Sequence, residues 1–394
     1  MRVLFATYPG PSHYFPIVSL GWALRAAGHE VVVATQPGFT ETVTRTGLPA
    51  VAVGDDIDLG AKFRERFGGR LRQTFRLPPA WPATLDDLRA SGLLQGVTIG
   101  LAHFIEHADL VADDTVAFAR SWRPDLVVSE PTAFFGAVAA RACGVPAVRH
   151  LWGPDFFHWL PAADLSGLDR LAGRLGITDV PVTGDVVLDP CPDAMQAPDA
   201  RGGWAMSCVP YNGPGVLPSW LREPPQRPRI CVTWGTWITG MGLDHLFRVG
   251  DLLAALAAFD AEVVVTAGPA EREKLGEVPA GVRVIDPLPL HLLLPSCAAI
   301  VHQGGTGTIM TAATYGVPQL AVPQIPDQLF NAGRMAETGA GRYLPPGEPS
   351  PEAIADGVRA LLDEPAHAKA AGDLRDAIHA RPAPAAIVSE LERL

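Results

Sequence analysis

Short apolar runs alternate with amphipathic stretches from the first residues of the chain onward, and glycine or proline separates most of them. Residues 2–7 and 31–35 are apolar runs typical of strands, while residues 15–27 between them have the spacing of a helix. Gly28 stands where a helix C-cap is expected. Because these strands lack a polar face, the βαβ pattern predicts a parallel sheet covered by helices on both sides.

The same pattern returns twice further along the chain. Residues 126–150 predict a strand at 126–129, a helix at 132–143 and a strand at 145–148. A second series begins at residue 230, with a helix at 243–258 and strands at 230–234, 262–266, 282–285, 299–302 and 319–322. Residues 54–120 and 152–212 are less regular, and we expect them to form functional loops or helical lids over the strand ends.

The chain of 394 residues is longer than single cores usually grow, which favours two domains. Residues 213–229 are rich in proline and have little periodicity, so they are the predicted linker. The predicted domains are therefore residues 1–212 and 230–380. Residues 381–394 form a final helix, set off by Pro382 and Pro384, that we expect to cross back to the first domain.

Charge and hydropathy exclude several classes of partner. A formal net charge of −11 argues against nucleic acid, because phosphate backbones are bound by clustered Lys and Arg. Apolar runs are too short to span a membrane, and the first residues lack the pattern of a signal peptide, so we expect a cytoplasmic protein. The five cysteines form no C-x-x-C pair, which indicates neither zinc nor a disulfide framework.

A glycine-rich loop follows the strand at 299–302. Gly304, Gly305 and Gly307 permit close backbone approach, and a helix that opens at Thr306 would offer free N–H groups and the positive end of its dipole. This arrangement suits a diphosphate, although a tight turn without a ligand is an equal alternative. The loop is neither G-x-G-x-x-G nor a Walker A motif, which argues against dehydrogenases and NTPases.

Two more loops follow strands of the same predicted sheet. Gly235 and Thr236 come after the strand at 230–234, and Asp327 with Gln328 comes after the strand at 319–322. Ligands of open parallel sheets gather at the carboxyl ends of the strands, so these loops reinforce each other. A carboxylate beside an amide suits sugar hydroxyls; for Asp327 the alternative is a helix N-cap.

His13 and Glu130 follow two strands that we expect to be neighbours in the first sheet. Histidine has the pKa range of a general base, and a carboxylate on one ring nitrogen would orient the imidazole and stabilise its cation. The pair is a candidate catalytic dyad. A capping or surface role is the alternative for His13.

Together these motifs resemble family 1 glycosyltransferases of the GT-B fold. The resemblance rests on the loop P-S-H-Y-F-P around His13, on V-H-Q-G-G-T-G-T from Val301, and on G-V-P-Q-L-A-V-P-Q-I-P-D-Q-L-F-N-A from Gly316. It is strongest to bacterial enzymes that decorate macrolides, aromatic polyketides and enediynes with deoxysugars. It implies an α/β GT-B fold, in which two Rossmann-like domains place their parallel sheets across a cleft.

The resemblance also implies a reaction. This is the inverting, metal-independent transfer of a sugar from a nucleotide diphosphate, dTDP- or UDP-linked, to a hydrophobic aglycone. The first domain would bind the acceptor and the second the donor, which is a co-substrate, so that no cofactor is expected. His13 would deprotonate the acceptor with help from Glu130, where relatives usually have aspartate.

The resemblance assigns the remaining site residues to two groups. Gln303 stands where relatives often have a second histidine. Donor-binding residues would be Gly235, Thr236, Pro287, Leu288, His302, Gln303, Gly304, Gly305, Thr306, Gly307, Thr308, Asp327 and Gln328. Acceptor-binding residues would be Ser12, Phe134 and Trp152. Further aromatic residues fit either a flat acceptor or core packing: Trp81, Phe104, Phe135, Phe156, Phe157 and Trp159.

Two functions of other kinds stay open at the level of sequence. The chain could be a catalytically silent relative that binds nucleotide or aglycone as the helper of a partner enzyme, or an epimerase that acts on a nucleotide sugar. Binding without turnover would favour the helper, and turnover of donor without acceptor would favour the epimerase. The sequence also leaves open whether the protein forms a homodimer. It does not decide between an O-glycoside and a C-glycoside as the product.

Overall fold

Parallel strands form two separate sheets in the computed structural model, which describes residues 1–67, 77–200, 202–235, 249–347 and 349–394. In the described part of the chain the first sheet has seven strands, whose order is β3-β2-β1-β4-β5-β6-β7. They are β1 (Arg2–Ala6), β2 (Glu30–Thr35), β3 (Ala50–Ala52), β4 (Leu126–Ser129), β5 (Ala147–His150), β6 (Val186–Asp189) and β7 (Trp204–Ala205).

The second sheet has six strands within the same described ranges, in the order β10-β9-β8-β11-β12-β13. They are β8 (Arg229–Thr233), β9 (Glu262–Thr266), β10 (Val282–Ile285), β11 (Ala299–His302), β12 (Gln319–Ala321) and β13 (Gly341–Tyr343). Every strand pair in both sheets is parallel. The expected α/β architecture of two parallel sheets is therefore confirmed.

Helices connect the strands of the first sheet. They are α1 (Pro11–Tyr14), α2 (Val18–Ala26), α3 (Thr40–Thr44), α4 (Leu59–Phe67), α5 (Leu85–Ala90), α6 (Leu93–Trp122), α7 (Phe134–Cys143) and α8 (Ser166–Arg174). Short 3₁₀ turns lie at Phe15–Ile17, Pro37–Phe39, Leu160–Ala162 and Asp193–Met195. The continuous helix expected at residues 15–27 thus starts as a 3₁₀ turn, since Pro16 lies within its first residues.

The second sheet has its own helices. They are α9 (Val249–Leu256), α10 (Pro269–Arg272), α11 (Leu290–Leu293), α12 (Thr306–Tyr315), α13 (Pro326–Glu337), α14 (Pro351–Asp363), α15 (Pro365–His379) and α16 (Pro384–Leu391). The start of the helix expected at 243–258 lies outside the described residues. Residues 213–229 contain a 3₁₀ turn at Ser219–Leu221.

The least regular predicted region contains the longest helix of the described chain. Helix α6 has 30 residues and buries Leu93, Val97, Leu101 and Ile105 against the first sheet. These residues recur every four positions, which is the spacing of one helical face. The described residues between 54 and 120 are thus largely helical, and α6 forms a wall of the site described below.

The last helix, α16, packs against the first domain. Ile387, Val388 and Leu391 of α16 are buried in the same core as Leu20 and Leu24 of α2. None of the helices in the described ranges combines the length and apolarity that crossing a bilayer requires.

The strand order decides where a site can form. In the first sheet the chain order reverses between β1 and β4, and in the second it reverses between β8 and β11. Loops leave such neighbouring strands in opposite directions, which opens a crevice at their carboxyl ends. His13 and Glu130 follow β1 and β4, while Gly235 and Gln303 follow β8 and β11. The two crevices border one cleft.

Candidate active site

A cavity of about 820 Å³ lies between the carboxyl ends of the two sheets. Residues that follow β1, the first half of α6 and residues 151–157 line it from the first domain. The first turns of α12 and α13 and the loop after β8 line it from the second. Its volume is in the range of sites for small molecules.

His13 projects from the short helix α1 into this cleft. Pro11 stands at the first helical position, where its missing N–H costs nothing. The side chain is only one-tenth exposed, and its Nδ1 atom lies 3.0 Å from Thr132 Oγ1. The distance from Nδ1 to Glu130 Oε2 is 3.6 Å, beyond hydrogen-bond range. The expected dyad is thus close together, but a threonine hydroxyl lies between its members.

Glu130 is held by bonds that leave it little freedom. Its side chain is fully buried. Oε1 accepts from the Tyr8 backbone N–H at 3.0 Å, and Oε2 accepts from the Thr132 N–H at 2.7 Å. Thr132 Oγ1 lies 2.8 Å from Oε1 and 2.9 Å from Oε2. Sequence reasoning missed Thr132, although its position two residues after Glu130 in the same loop could have indicated it.

Aromatic rings surround His13. The Trp152 ring meets it edge-on with centroids 4.8 Å apart, and the Tyr8 ring lies 4.7 Å away. Tyr8 was not predicted; its hydroxyl lies 2.9 Å from His103 Nε2 on α6. Burial, with a smaller effect from the charge of Glu130, raises the pKa of Tyr8, so the hydroxyl stays neutral at physiological pH.

The acceptor residues assigned by resemblance divide between cleft and core. Ser12 and Trp152 line the cleft. Phe134 does not, because it begins α7 and its ring is buried in the core under the first sheet. Among the further aromatic residues, Phe104, Phe156 and Phe157 line the cleft, whereas Phe135 and Trp159 are core residues. The apolar residues Phe63, Val97 and Leu101 also line the cleft from the first domain.

The glycine-rich loop turns into α12 at the opposite wall. Gly305 is the N-cap residue, and the first turn of α12 contains no acidic side chain. Gln303, Gly305, Thr306, Gly307 and Thr308 line the cleft. The free N–H groups and the positive dipole end of such a helix favour an anion.

Two residues of this loop, Gly304 and Thr306, are held in place by contacts with α13. Asn331 Nδ2 donates to Thr306 Oγ1 at 2.8 Å, which fixes the threonine at the helix start. Gly304 has a φ of +95°, and a Cβ there would lie 2.8 Å from the carbonyl oxygen of Gln328. Gly304 therefore allows the loop to pack against α13 and does not itself line the cleft.

His302 requires a correction, because the structure places it beneath the loop and not in the cleft. It is fully buried; Nε2 lies 3.1 Å from Gln319 Oε1, and Nδ1 accepts from the Gly304 N–H at 2.9 Å. Burial lowers the pKa of His302 to about 4, against a smaller opposing effect of Gln319. A neutral imidazole with both nitrogens occupied supports the loop from beneath and does not line the cleft.

Gln303 is the loop side chain that faces the cleft. It is 6% exposed, and its Oε1 has no hydrogen-bond partner among the described residues. Its Nε2 lies 3.0 Å from the position that a Cβ would occupy at Gly235 or Gly305. The two glycines thus make room for the amide of Gln303 at the cleft wall.

Asp327 and Gln328 begin α13 and also line the cleft. Burial raises the pKa of Asp327 to about 6. The backbone N–H bonds of Asp327 and Gln328 and the charge of His13 lower this pKa, but their effects are smaller. Gln328 Oε1 accepts from the Gln324 N–H at 2.9 Å, which orients its amide.

Three of the other predicted donor residues also border the cleft. Pro287, Leu288 and Gly235 line the cleft. Thr236 lies outside the described residues. Glu271, which sequence reasoning did not select, also lines the cleft near Gly268 and Pro287.

One loop joins the two walls. Residues 151–157 carry Trp152 toward His13, and Gly153 faces α12, where an added Cβ would lie 2.7 Å from Thr306 Cγ2 and 2.9 Å from Met310 Cγ. Phe156 contacts Phe330 of α13, with ring centroids 5.7 Å apart. The first domain therefore packs directly on α12 and α13 of the second.

Comparisons with known proteins agree with this geometry. The family model described as "Erythromycin biosynthesis protein CIII-like, N-terminal domain" matches residues 22–235, and the C-terminal domain model of the same family matches residues 250–394. The chain is similar to 10-deoxymethynolide desosaminyltransferase of Streptomyces venezuelae, at 40% identity over 100% of this chain and 97% of that protein. It is 41% identical to the TDP-daunosamine transferase DnrS of Streptomyces peucetius, again over 100% and 97%.

A solved structure extends the likeness to the fold. Glycosyltransferase VinC in complex with dTDP superposes with a TM-score of 0.81 at 34% identity, covering 100% of this chain and 99% of that one. The expected GT-B fold is thereby confirmed. The chain is a glycosyltransferase and belongs to the erythromycin biosynthesis protein CIII-like family.

Proposed function

We propose that the protein transfers a deoxysugar from a dTDP-linked donor to a hydrophobic natural-product aglycone, with inversion and without a metal or cofactor. The observation that carries the proposal is the placement of His13 and the first turn of α12 on opposite walls of one cavity. A base on one side and an anion site on the other are what an in-line displacement requires.

The chemistry follows from these two walls. His13 Nε2 removes the proton of an acceptor hydroxyl, and the acceptor oxygen forms a bond to the anomeric carbon of the sugar. The bond from that carbon to the diphosphate oxygen breaks, and its electron pair leaves with the diphosphate. A single displacement inverts the anomeric centre. The N–H groups of α12 and the amide of Gln303 stabilise the departing charge without a metal ion.

The substrate class is drawn from the relatives and from the cleft walls. The names of two relatives denote transfer of desosamine and daunosamine, which are amino-deoxysugars, and VinC is described with dTDP bound. Phe63, Leu101, Phe104 and Trp152 supply an apolar wall beside His13. A macrolide or polyketide aglycone would bury its apolar face there.

The first experiment is a transfer assay with mass detection. Wild-type protein, His13→Ala and His379→Ala are incubated with dTDP- and UDP-sugars and with macrolide and aromatic polyketide aglycones. We expect wild type and the exposed-histidine control to form glycoside, and His13→Ala to lose roughly 10²–10⁴-fold in rate. All three should bind dTDP equally in calorimetry.

Other outcomes contradict specific parts of the proposal. Glycoside formation that His13→Ala leaves intact would exclude His13 as the base. If every nucleotide binds but no glycoside forms with any aglycone, the proposed pairing of a deoxysugar donor with macrolide or aromatic polyketide acceptors is wrong. Interconversion of the donor without an acceptor would indicate an epimerase.

A further inference from the structure

Thr132 lies at the centre of the polar network behind His13. Its hydroxyl oxygen is 3.0 Å from His13 Nδ1 and within 2.9 Å of both carboxylate oxygens of Glu130. It is fully buried, so water cannot replace any of these bonds. The loop that carries it leaves β4 beside β1, which brings it under α1.

The hydroxyl has one hydrogen and must satisfy two neighbours. Both oxygens of Glu130 already accept backbone N–H bonds, from Tyr8 and Thr132 respectively. The carboxylate therefore serves as an acceptor, and the Thr132 hydrogen points to it. The oxygen of Thr132 then offers a lone pair to His13 Nδ1. That nitrogen must carry the proton, and the lone pair of the neutral ring lies on Nε2.

The charge of Glu130 still acts at this distance. When Nε2 gains a proton, the imidazolium carries its charge 3.6 Å from Glu130 Oε2 in a buried setting. Coulomb attraction there is stronger than in water. The threonine hydroxyl orients the His13 ring, while the negative charge of Glu130 stabilises the imidazolium. No proton needs to move from His13 to Glu130.

We propose that Thr132 is a positioning residue, whose hydroxyl fixes the ring of His13 in the tautomer with Nε2 free for the acceptor. The inference rests on the proposed role of His13 as the base. It reassigns the direct partner of His13 from the carboxylate to the hydroxyl. It also explains how Glu130 serves without touching the imidazole.

The test compares Thr132→Val, which keeps the shape and backbone N–H, with Thr132→Ser, which keeps the hydroxyl. Thr115→Val is the matched control, since Thr115 is equally buried and its hydroxyl donates only to its own helix, at Val111 O. We expect Thr132→Val to lower kcat roughly ten- to hundred-fold with little change in the acceptor KM. Thr132→Ser and Thr115→Val should retain kcat within about three-fold.

A second readout does not depend on turnover. The two nitrogens of a neutral imidazole have separate ¹⁵N NMR frequencies, and a His13→Gln spectrum assigns the His13 signals. In wild type and Thr132→Ser we expect Nδ1 to carry the proton. In Thr132→Val the two tautomers should both be populated.

The outcomes separate this proposal from the proposed function. Thr132→Val with unchanged kcat and a single Nδ1-protonated form would overturn the role of Thr132. So would a Thr132→Ser variant that folds normally and is as slow as Thr132→Val. Transfer that survives in His13→Ala would overturn the function of His13 instead, whichever tautomer the spectra show.

Discussion

At the scale of residues, the wall proposed to bind the diphosphate is built from neutral groups where the structure describes it. Gln303 presents an amide with an unpaired oxygen, and His302 beneath it is held neutral by burial. Among the residues that the structure describes in this loop, the N-terminus of α12 therefore supplies the positive potential. An added charge at position 303 should have a large effect, because the side chain is almost fully buried.

Replacing Gln303 by Glu keeps the shape and adds a negative charge. We expect the Kd for dTDP in calorimetry to rise at least about tenfold through repulsion between like charges in a poorly solvated site. Gln303→Met, which is neutral and of similar size, should raise it only a few fold. Equal losses in the two variants would mean that the amide does not face the phosphates.

Asp327 predicts a pH-dependent difference in stability. Its pKa rises from an ordinary value of 3.8 to about 6 in the folded protein, so the fold prefers the protonated carboxyl. The associated stability is present below pH 3.8 and is lost as the pH rises through about 6. Asp327→Asn removes this cost. We expect its free energy of unfolding at pH 8 to exceed that of wild type by up to about 3 kcal/mol.

The measurement is urea unfolding of both proteins at pH 5 and pH 8. The stability advantage of Asp327→Asn should be larger at pH 8. The same variant should bind dTDP-glucose more weakly, because it lacks the charged acceptor for sugar hydroxyls. An advantage that does not change with pH would contradict the titration of Asp327 in this range.

Sequence reasoning located His13, Glu130 and the glycine loop because strand ends at a topological switch point are recognisable from pattern. It misplaced His302 for an equally physical reason. Strand β11 is buried on both faces, so its sequence does not reveal which way the last side chain points. Thr132 carries only a weak signal, its position two residues after Glu130, since a threonine near a helix start is common.

At the scale of elements, the loop at 151–157 is anchored by an internal ion pair. Arg149 of β5 forms two parallel bonds of 2.8 Å with Asp155, and both side chains are buried. Asp155 also accepts from the Phe157 N–H, which shapes the turn behind Trp152. The aromatic wall near His13 therefore depends on a buried charge pair within the first domain.

Breaking this pair should be costly. Arg149→Met leaves Asp155 buried without its cation, and we expect the free energy of unfolding to fall by about 3–5 kcal/mol. Arg174→Met removes an exposed arginine that pairs with Asp109 and Asp113, and it should cost less than about 1 kcal/mol. Denaturant unfolding measures both. A similar small loss in both variants would show that the buried pair does not hold the loop.

Helix α6 illustrates what element prediction missed. Its buried positions have a regular spacing, but Gly96, Gly100 and the β-branched residues among them lower intrinsic helix propensity. Packing against α7 and the sheet supplies the missing stability. That contribution comes from residues distant in sequence, so the local pattern understated it.

At the scale of the whole molecule, Gly153 couples the two domains. The stiff side chain of Thr306 occupies the place where a Cβ would lie, and Asn331 holds that threonine in position. Gly153→Ala therefore has to push the loop and α12 apart. We expect it to weaken dTDP binding about five- to tenfold in calorimetry and to increase the radius of gyration in X-ray scattering.

The control and the rescue are both available in the chain. Gly173→Ala places a methyl group on α8 where nothing lies within 4 Å, and it should bind dTDP as wild type does. Adding Thr306→Ser to Gly153→Ala removes the clashing methyl, keeps the hydroxyl for Asn331, and should recover most of the affinity. No recovery would mean that the contact does not control closure.

The packing of α16 on α2 has a consequence for recombination between relatives. A single crossover in the linker would join α2 of one parent to α16 of the other, because the two helices come from opposite ends of the gene but share one core. In such a hybrid, Leu20 and Leu24 would have to repack against the residues that the other parent has in place of Ile387 and Val388. Hybrids that exchange acceptor specificity should therefore carry two junctions, so that residues 384–391 travel with the first domain.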